Sequence, residues 1–519
     1  MKRKHTKLIC LGLALCLLTG LALGCGSSAN DTKTASAEAA VQAADQTTET
    51  TTAAAPDGAP PADLGERPDG TPPGGMGQPP ERPDGTPPGG MPGGPGGMGQ
   101  PPAGGPGGGP GGSSADIEYK GAVEITAADS QSGQTYASDT ADESALLIST
   151  KDAVTVDEPT VTKSGSSDGG DSCNFYGLNA AVLVKNGADV TITGGTITSD
   201  AMGANGVFCY GGNGGRNGAA GDGTTLTIRD TVITTTGGGS GGIMTTGGGV
   251  TYAYDLTVTT SGQSSAPIRT DRGGGTVYVD GGTYTSNGLG SPTIYSTAEI
   301  HVSNATLTSN LSEGVCIEGK NSIELTNCDM TANNTKMNSN ASFLDTIMIY
   351  QSMSGDADSG TSAFTMTGGS LTSKSGHVFH VTNTSAVITL NGVQIVNEDS
   401  GNVLLSVCDD GWTGAGNTAV LKAKGQTLEG LVLVGDNATL TLELTKGSTF
   451  TGAVSGEITN AKGSVVSTQA GTVHVSLDAT STWTLTADTY VTSFIGDASQ
   501  VIANGHTLYV DGVALTGTK

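Results

Sequence analysis

Ala188-Asp189-Val190-Thr191-Ile192-Thr193-Gly194-Gly195-Thr196-Ile197-Thr198 reads as apolar-x-apolar-x-(Gly/Asn/Asp)-x-x-apolar, with Val190 and Ile197 seven positions apart. The frame returns at Leu226/Ile233, Val277/Tyr284, Ile300/Leu307, Ile323/Met330, Phe364/Leu371 and Ile388/Ile395. The first members are separated by 36, 51, 23, 23, 41 and 24 residues, and a period near 23 interrupted by insertions is a solenoid signature. Within each unit apolar residues alternate as on a strand, and turn residues interrupt at a fixed offset. Strands stacked ~4.8 Å apart pair every backbone group with the coils above and below. The expected fold is all-β, a single-stranded right-handed parallel β-helix over residues 116–420. Leucine-rich repeats share the period but need a Leu/Asn frame that is absent here, and a β-sandwich would not keep a constant internal spacing.

Composition agrees. The chain has 519 residues, of which 83 are Gly and only 4% aromatic, so it cannot build several thick cores and suits a narrow core of β-branched side chains. Asp and Glu number 49 against 23 Lys and Arg, for a net charge of −26. A phosphate backbone selects basic stripes, so this balance argues against nucleic acid or an anionic bilayer as a charge-driven partner.

The N-terminus supplies an address. Lys2, Arg3, Lys4 and Lys7 precede an apolar run from Leu8 to Leu23, then Gly24-Cys25-Gly26. A basic n-region, a short apolar stretch and a small residue at the cut make a secretory signal over residues 1–24. Residues 25–115 hold 17 of the chain's 20 prolines, and Glu66 to Met76 recurs from Glu81. Such sequence buries too little apolar surface to offset its ordering entropy, so it is expected as a disordered spacer. Cys173, Cys209, Cys316, Cys328 and Cys408 are odd in number without a CxxC, which points to buried free thiols. Residues 421–519 read as looser β coils and a cap, with Trp483 and Tyr490 thickening the end.

A second strand precedes each template: Val207-Phe208-Cys209-Tyr210, Ile243-Met244-Thr245-Thr246, Ile268-Arg269-Thr270-Asp271, Ile294-Tyr295-Ser296-Thr297, Val315-Cys316-Ile317-Glu318, Ile347-Met348-Ile349-Tyr350 and Phe379-His380-Val381-Thr382. Side chains alternate across a strand. With the first and third residues inward, the outward set is Phe208, Tyr210, Met244, Arg269, Asp271, Tyr295, Glu318, Met348, Tyr350 and His380. Lys320, Gln351, Asp409, Asp410 and Trp412 lie near it in sequence. Elsewhere the outward positions are mostly Thr, Ser and Asn. Rings stack on pyranose faces and charged groups take hydroxyls or carboxylates, so the stripe suits sugars. The alternative is that covering loops bury it and it only packs. Insertions at Gly211 to Gly223, with Arg216, and at Ser352 to Ser362, with Asp356 and Asp358, could do either.

The sharpest local feature is Arg269-Thr270-Asp271-Arg272-Gly273-Gly274-Gly275, two guanidiniums around a carboxylate beside three glycines. Asp271 and Glu318, two coils apart, suit an inverting glycosidase pair once their side chains tilt together. Arg269 is alternatively the base of a β-elimination from a uronic acid, with Ca²⁺ on Asp271 or Glu318 neutralising the substrate carboxylate.

Gly24-Cys25 resembles a bacterial lipobox, which implies lipid on Cys25 and display on the outer face of the cell membrane. With the spacer and the Val190 coil, it resembles secreted β-helix proteins of anaerobic Gram-positive bacteria. These are related in fold to pectate lyases and include carbohydrate-binding members. The Asp-Asp-Gly-Ile-His coil of their calcium- and polysaccharide-binding members is absent, and no ligand or metal residue is carried over. Three readings follow. In the first the β-helix binds polysaccharide or host glycan, as an adhesin or capture module, through Phe208, Tyr210, Arg269, Asp271, Arg272, Tyr295, Glu318, Lys320, Tyr350 and His380. The second is a polysaccharide lyase or glycoside hydrolase using Arg269, Asp271 and Glu318. The third is a structural solenoid without a small ligand.

Overall fold

The computed structural model describes residues 117–214 and 220–519. Cys25, the Pro/Gly-rich segment and Arg216 lie outside the described residues. Three parallel sheets of 15, 14 and 10 strands form the walls of a β-helix, and each main-wall strand pairs with its counterparts in the neighbouring coils. In chain order, one coil contributes Val182–Lys185 to the first wall, Asp189–Thr193 to the second and Thr196–Ser199 to the third.

The repeat frame is the pairing register. On the second wall Val190, Leu226, Thr251, Val277, Ile300, Ile323, Phe364 and Ile388 stack in line. On the third, Ile197, Ile233, Val258, Tyr284, Leu307, Met330, Leu371 and Ile395 do the same. The 51-residue gap in the sequence pattern is therefore two coils. The coil between carries Thr251 where its neighbours carry an apolar residue; Thr251 is fully buried, and its Oγ1 lies 2.7 Å from Thr245 Oγ1.

The corner between the second and third walls explains the Gly/Asn/Asp position. Asp230, Asp255, Asn304 and Asn327 sit there at φ 51°, 51°, 55° and 52°, and Gly194 and Gly281 at 68° and 77°. This left-handed conformation is disfavoured for side chains with a branched or bulky β-carbon. It turns the chain while the backbone N–H still bonds the next coil, as Asn327 N does to Thr367 O at 2.8 Å. At another corner Ser240, Ser265 and Ser291 stack, each Oγ donating to a carbonyl (Ala201, Gly237, Gly262) and accepting a backbone N–H from the preceding coil. The hydroxyls of these corner serines are thus satisfied coil by coil.

All five cysteines within the described residues are free and buried. The third wall ends at Gln394–Asn397, while the other two continue to Val501–Ile502 and Ser493–Ile495 on longer strands such as Asn417–Lys424. Trp483 is buried there, stacked on Phe450 at 5.5 Å.

The corner conformation yields a test. Asn327→Gly should leave the urea midpoint nearly unchanged, whereas Asn327→Val should cost about 1–2 kcal/mol for a β-branched residue in the left-handed region. Equal effects of the two substitutions would contradict the assigned corner.

Candidate functional site

The stripe has the alternation that its sequence implies. Phe208, Met244, Arg269, Tyr295, Cys316, Met348 and His380 pair in register on the first wall, and Glu318 pairs with Tyr350. The stripe is not open to solvent, which corrects the expectation of an exposed ladder. Among the described residues, segments carrying Phe175, Ala341, Asp356 and Trp412 cover the wall. Over its first coils lies the α-helix Asp171–Tyr176, whose Phe175 and Tyr176 pack with Leu183, Phe208, Tyr210 and Met244. Thr246 Oγ1 donates to Phe175 O at 2.6 Å and fastens the helix down. Further along, Ala341 and Trp412 close over Cys316, Met348 and Tyr350, with Tyr295 at the edge.

Charged groups act as clamps in this cover. Arg269 donates to Asp271 at 2.6 Å, to Ser264 O at 3.2 Å and to Asn174 Oδ1 at 3.4 Å. Arg272 pairs with Asp356 of the 352–362 insertion and lies 4.4 Å over the Phe175 ring. Glu318 accepts from Tyr295 at 2.5 Å, from Tyr350 at 2.9 Å and from Ser352. Lys320 sits half-exposed at the rim, 3.0 Å from Asp358. His380 is fully buried, with Nδ1 at 2.7 Å from Ser406 Oγ and Nε2 at 3.3 Å from Asp410, whose Oδ1 accepts the Ser342 N–H. Ser406, His380 and Asp410 thus lie in line, but with the imidazole reversed relative to a hydrolase triad: Nδ1 faces the hydroxyl and Nε2 the carboxylate. Ser406 is also fully buried, and its Oγ is shared with His377 Nδ1 at 2.7 Å, so it has no open face for a carbonyl.

Asp271 and Glu318 both border Tyr295. Burial pushes the Asp271 carboxyl up to about 6 despite the Arg269 guanidinium beside it. It also raises Glu318, against the hydroxyls that donate to it. Raised carboxyls in one place are what acid–base chemistry needs, but in this closed form Arg269 spends its donors on Asp271, Ser264 and Asn174. Nor do the two carboxyls fit Ca²⁺: the Glu318 oxygens are taken by four hydroxyls, and Asp271 by Arg269 and the Arg272 N–H. Among the described residues no three His, Cys, Asp or Glu side chains gather as a metal cage.

The second wall is different. Its middle outward column runs Thr227, Tyr252, Tyr278, His301 and Glu324 in consecutive coils. Tyr252 and Tyr278 stack with centroids 5.2 Å apart and planes at 9°, and Tyr278 and His301 at 5.0 Å and 10°. The next outward column holds Arg229, Tyr254, Asp280, Ser303 and Thr326, with the Arg229 guanidinium 3.8 Å over the Tyr254 ring. Between the columns runs a shallow open groove of about 450 Å³. Tyr278 is 39% exposed, and the His301 ring lies between Glu299 at 2.9 Å and Glu324 at 3.2 Å.

Reading the stripe alone misses this site, because the template strands are taken as Thr-, Ser- and Asn-faced. The signal lies in the variable positions of the apolar-x-apolar frame. Thr251 hides the coil that carries Tyr252, and without that coil the run of rings is broken. No known protein family, curated protein or solved structure matches the chain.

The Asp271 shift has a signed consequence. The folded chain binds this proton more tightly than the unfolded one, whose carboxyl titrates near ~4. The group's contribution to stability is complete below that pH and is lost as pH rises toward about 6. Unfolding of the native chain and of Asp271→Asn, followed from pH 4 to 7, should show the native chain losing ground by on the order of 3 kcal/mol, at about 1.4 kcal/mol per unit. A difference that does not vary with pH would contradict this.

Proposed function

We propose that the chain is a surface-displayed module that binds polysaccharide along the Tyr252–Tyr278–His301 groove and is held to the outer face of the membrane by lipid on Cys25. The observation that carries the binding reading is the open ring ladder itself. In a chain with 4% aromatic residues, three rings in consecutive coils face solvent beside a groove rather than the core.

The chemistry supports sugar. Because the rings stack on one another along the solenoid, they turn their edges outward, presenting phenolic hydroxyls and an imidazole. The Tyr252 face that turns away from Tyr278 looks toward the small Thr227 of the preceding coil. Tyr joins an apolar body to a polar tip, which suits a ligand with alternating C–H faces and hydroxyls. The coil repeat of ~4.8 Å is comparable with the length of one sugar unit, so a chain laid along the groove meets equivalent groups at each step.

A second reading keeps the raised Asp271 and Glu318 carboxyls as the acid–base pair of a polysaccharide lyase or hydrolase that works when the cover lifts. The two are separated by product. We expect the full chain to be retained by at least one polysaccharide in a panel, without new reducing or unsaturated ends. Tyr252→Ala/Tyr278→Ala should weaken that retention at least tenfold, and Lys320→Ala should leave it unchanged. Retention indifferent to the double variant would overturn the groove reading, and released product would favour the enzyme.

A further inference from the structure

We infer that the polysaccharide taken by this groove carries protonated amines, as a partly or fully N-deacetylated hexosamine polymer does. This inference rests on the groove being the sugar site, and it names the ligand class. The electrostatics around the rings have one sign. Glu299 and Glu324 flank His301, and Asp280, which lines the groove in the next outward column, pairs in register with Ser303. Each carboxylate spends one oxygen internally: Glu299 Oε1 and Glu324 Oε2 on His301, and Asp280 Oδ1 on Ser303 and Asn304. The second oxygen of each is left for a ligand.

Cations are scarce around it. Residues 186 to 319 contain ten Asp and Glu, four Arg and no Lys. Of those arginines, Arg269 and Arg272 are paired with Asp271 and Asp356, and Arg229 lies on the Tyr254 ring at one end of the groove. The chain as a whole carries −26. A polyuronate or sulfated chain laid along the rings would bring like charge against like. An ammonium on a sugar ring instead meets carboxylate oxygens contributed by three consecutive coils, and charge-assisted hydrogen bonds are the stronger kind. Since these carboxylates are exposed, the preference is a sum of modest contacts and falls with salt.

The test uses the full chain and three soluble probes: a β-1,4-linked glucosamine polymer, the same polymer after chemical N-acetylation, and polygalacturonate. We expect the amine polymer to bind at least tenfold more tightly than its acetylated form at low salt, with the gap narrowing as salt rises. Polygalacturonate should not bind. Glu299→Gln/Glu324→Gln should reduce the preference for the amine form several-fold. Acetylated polymer or polygalacturonate binding as well as the amine form would overturn the amine inference and leave the groove reading in place. So would a double variant that keeps the full preference, since the polymer would then be following net charge alone. If Tyr278→Ala alters binding of none of the probes, the groove reading itself fails.

Discussion

Parallel pairing in register is the constraint on which the rest of this molecule depends. Each backbone N–H and C=O of a wall strand is committed to the coil before or after it, so a residue sits over its counterpart at every step. That fixes the interior as columns, such as Val190 to Ile388, and the corners as columns too, with Asp230, Asp255, Asn304 and Asn327 sharing one left-handed turn. Outward side chains are bound by the same rule. A ring in one coil finds a ring in the next only because the backbone places it there, and Tyr252, Tyr278 and His301 form a ladder for that reason.

Much of this is legible in the sequence because it is local and periodic. The seven-residue frame, the turn position and the outward alternation on the first wall all follow from two-residue periodicity and from where L-residues tolerate a positive φ. What escapes is of two kinds. Thr251 breaks the apolar frame with a buried hydroxyl whose partner, Thr245, lies on another wall. The cover escapes because it is not periodic at all. That Phe175 reaches Phe208, that Trp412 reaches Tyr350, and that Arg272 meets Asp356 are contacts between segments far apart in sequence.

The two outward faces therefore divide the work. On the first wall, aromatic and charged residues resembling a ligand site are consumed in fastening insertions to the solenoid. Arg272–Asp356, Glu318 with Tyr295, Tyr350 and Ser352, and His380–Asp410 each tie the cover or its neighbouring coils together. On the second wall, among the described residues, fewer groups of the same kinds stand without a cover and line a groove. Residue type alone does not distinguish these situations. Both walls show Tyr, His, Arg and carboxylates in alternate positions, and only what packs above them separates clamp from contact surface.

The most direct measurement of that division is tyrosine-specific chemical labelling of the folded chain, read residue by residue with mass spectrometry, with and without a bound polysaccharide. Tyr490, 56% exposed, serves as the reference for free reactivity. Tyr252 and Tyr278 should label in the free protein and be shielded by ligand, while Tyr210, Tyr295 and Tyr350 stay unlabelled in both states. Labelling of Tyr295 and Tyr350 that is lost when the polysaccharide binds would put the contact surface under the cover and contradict it.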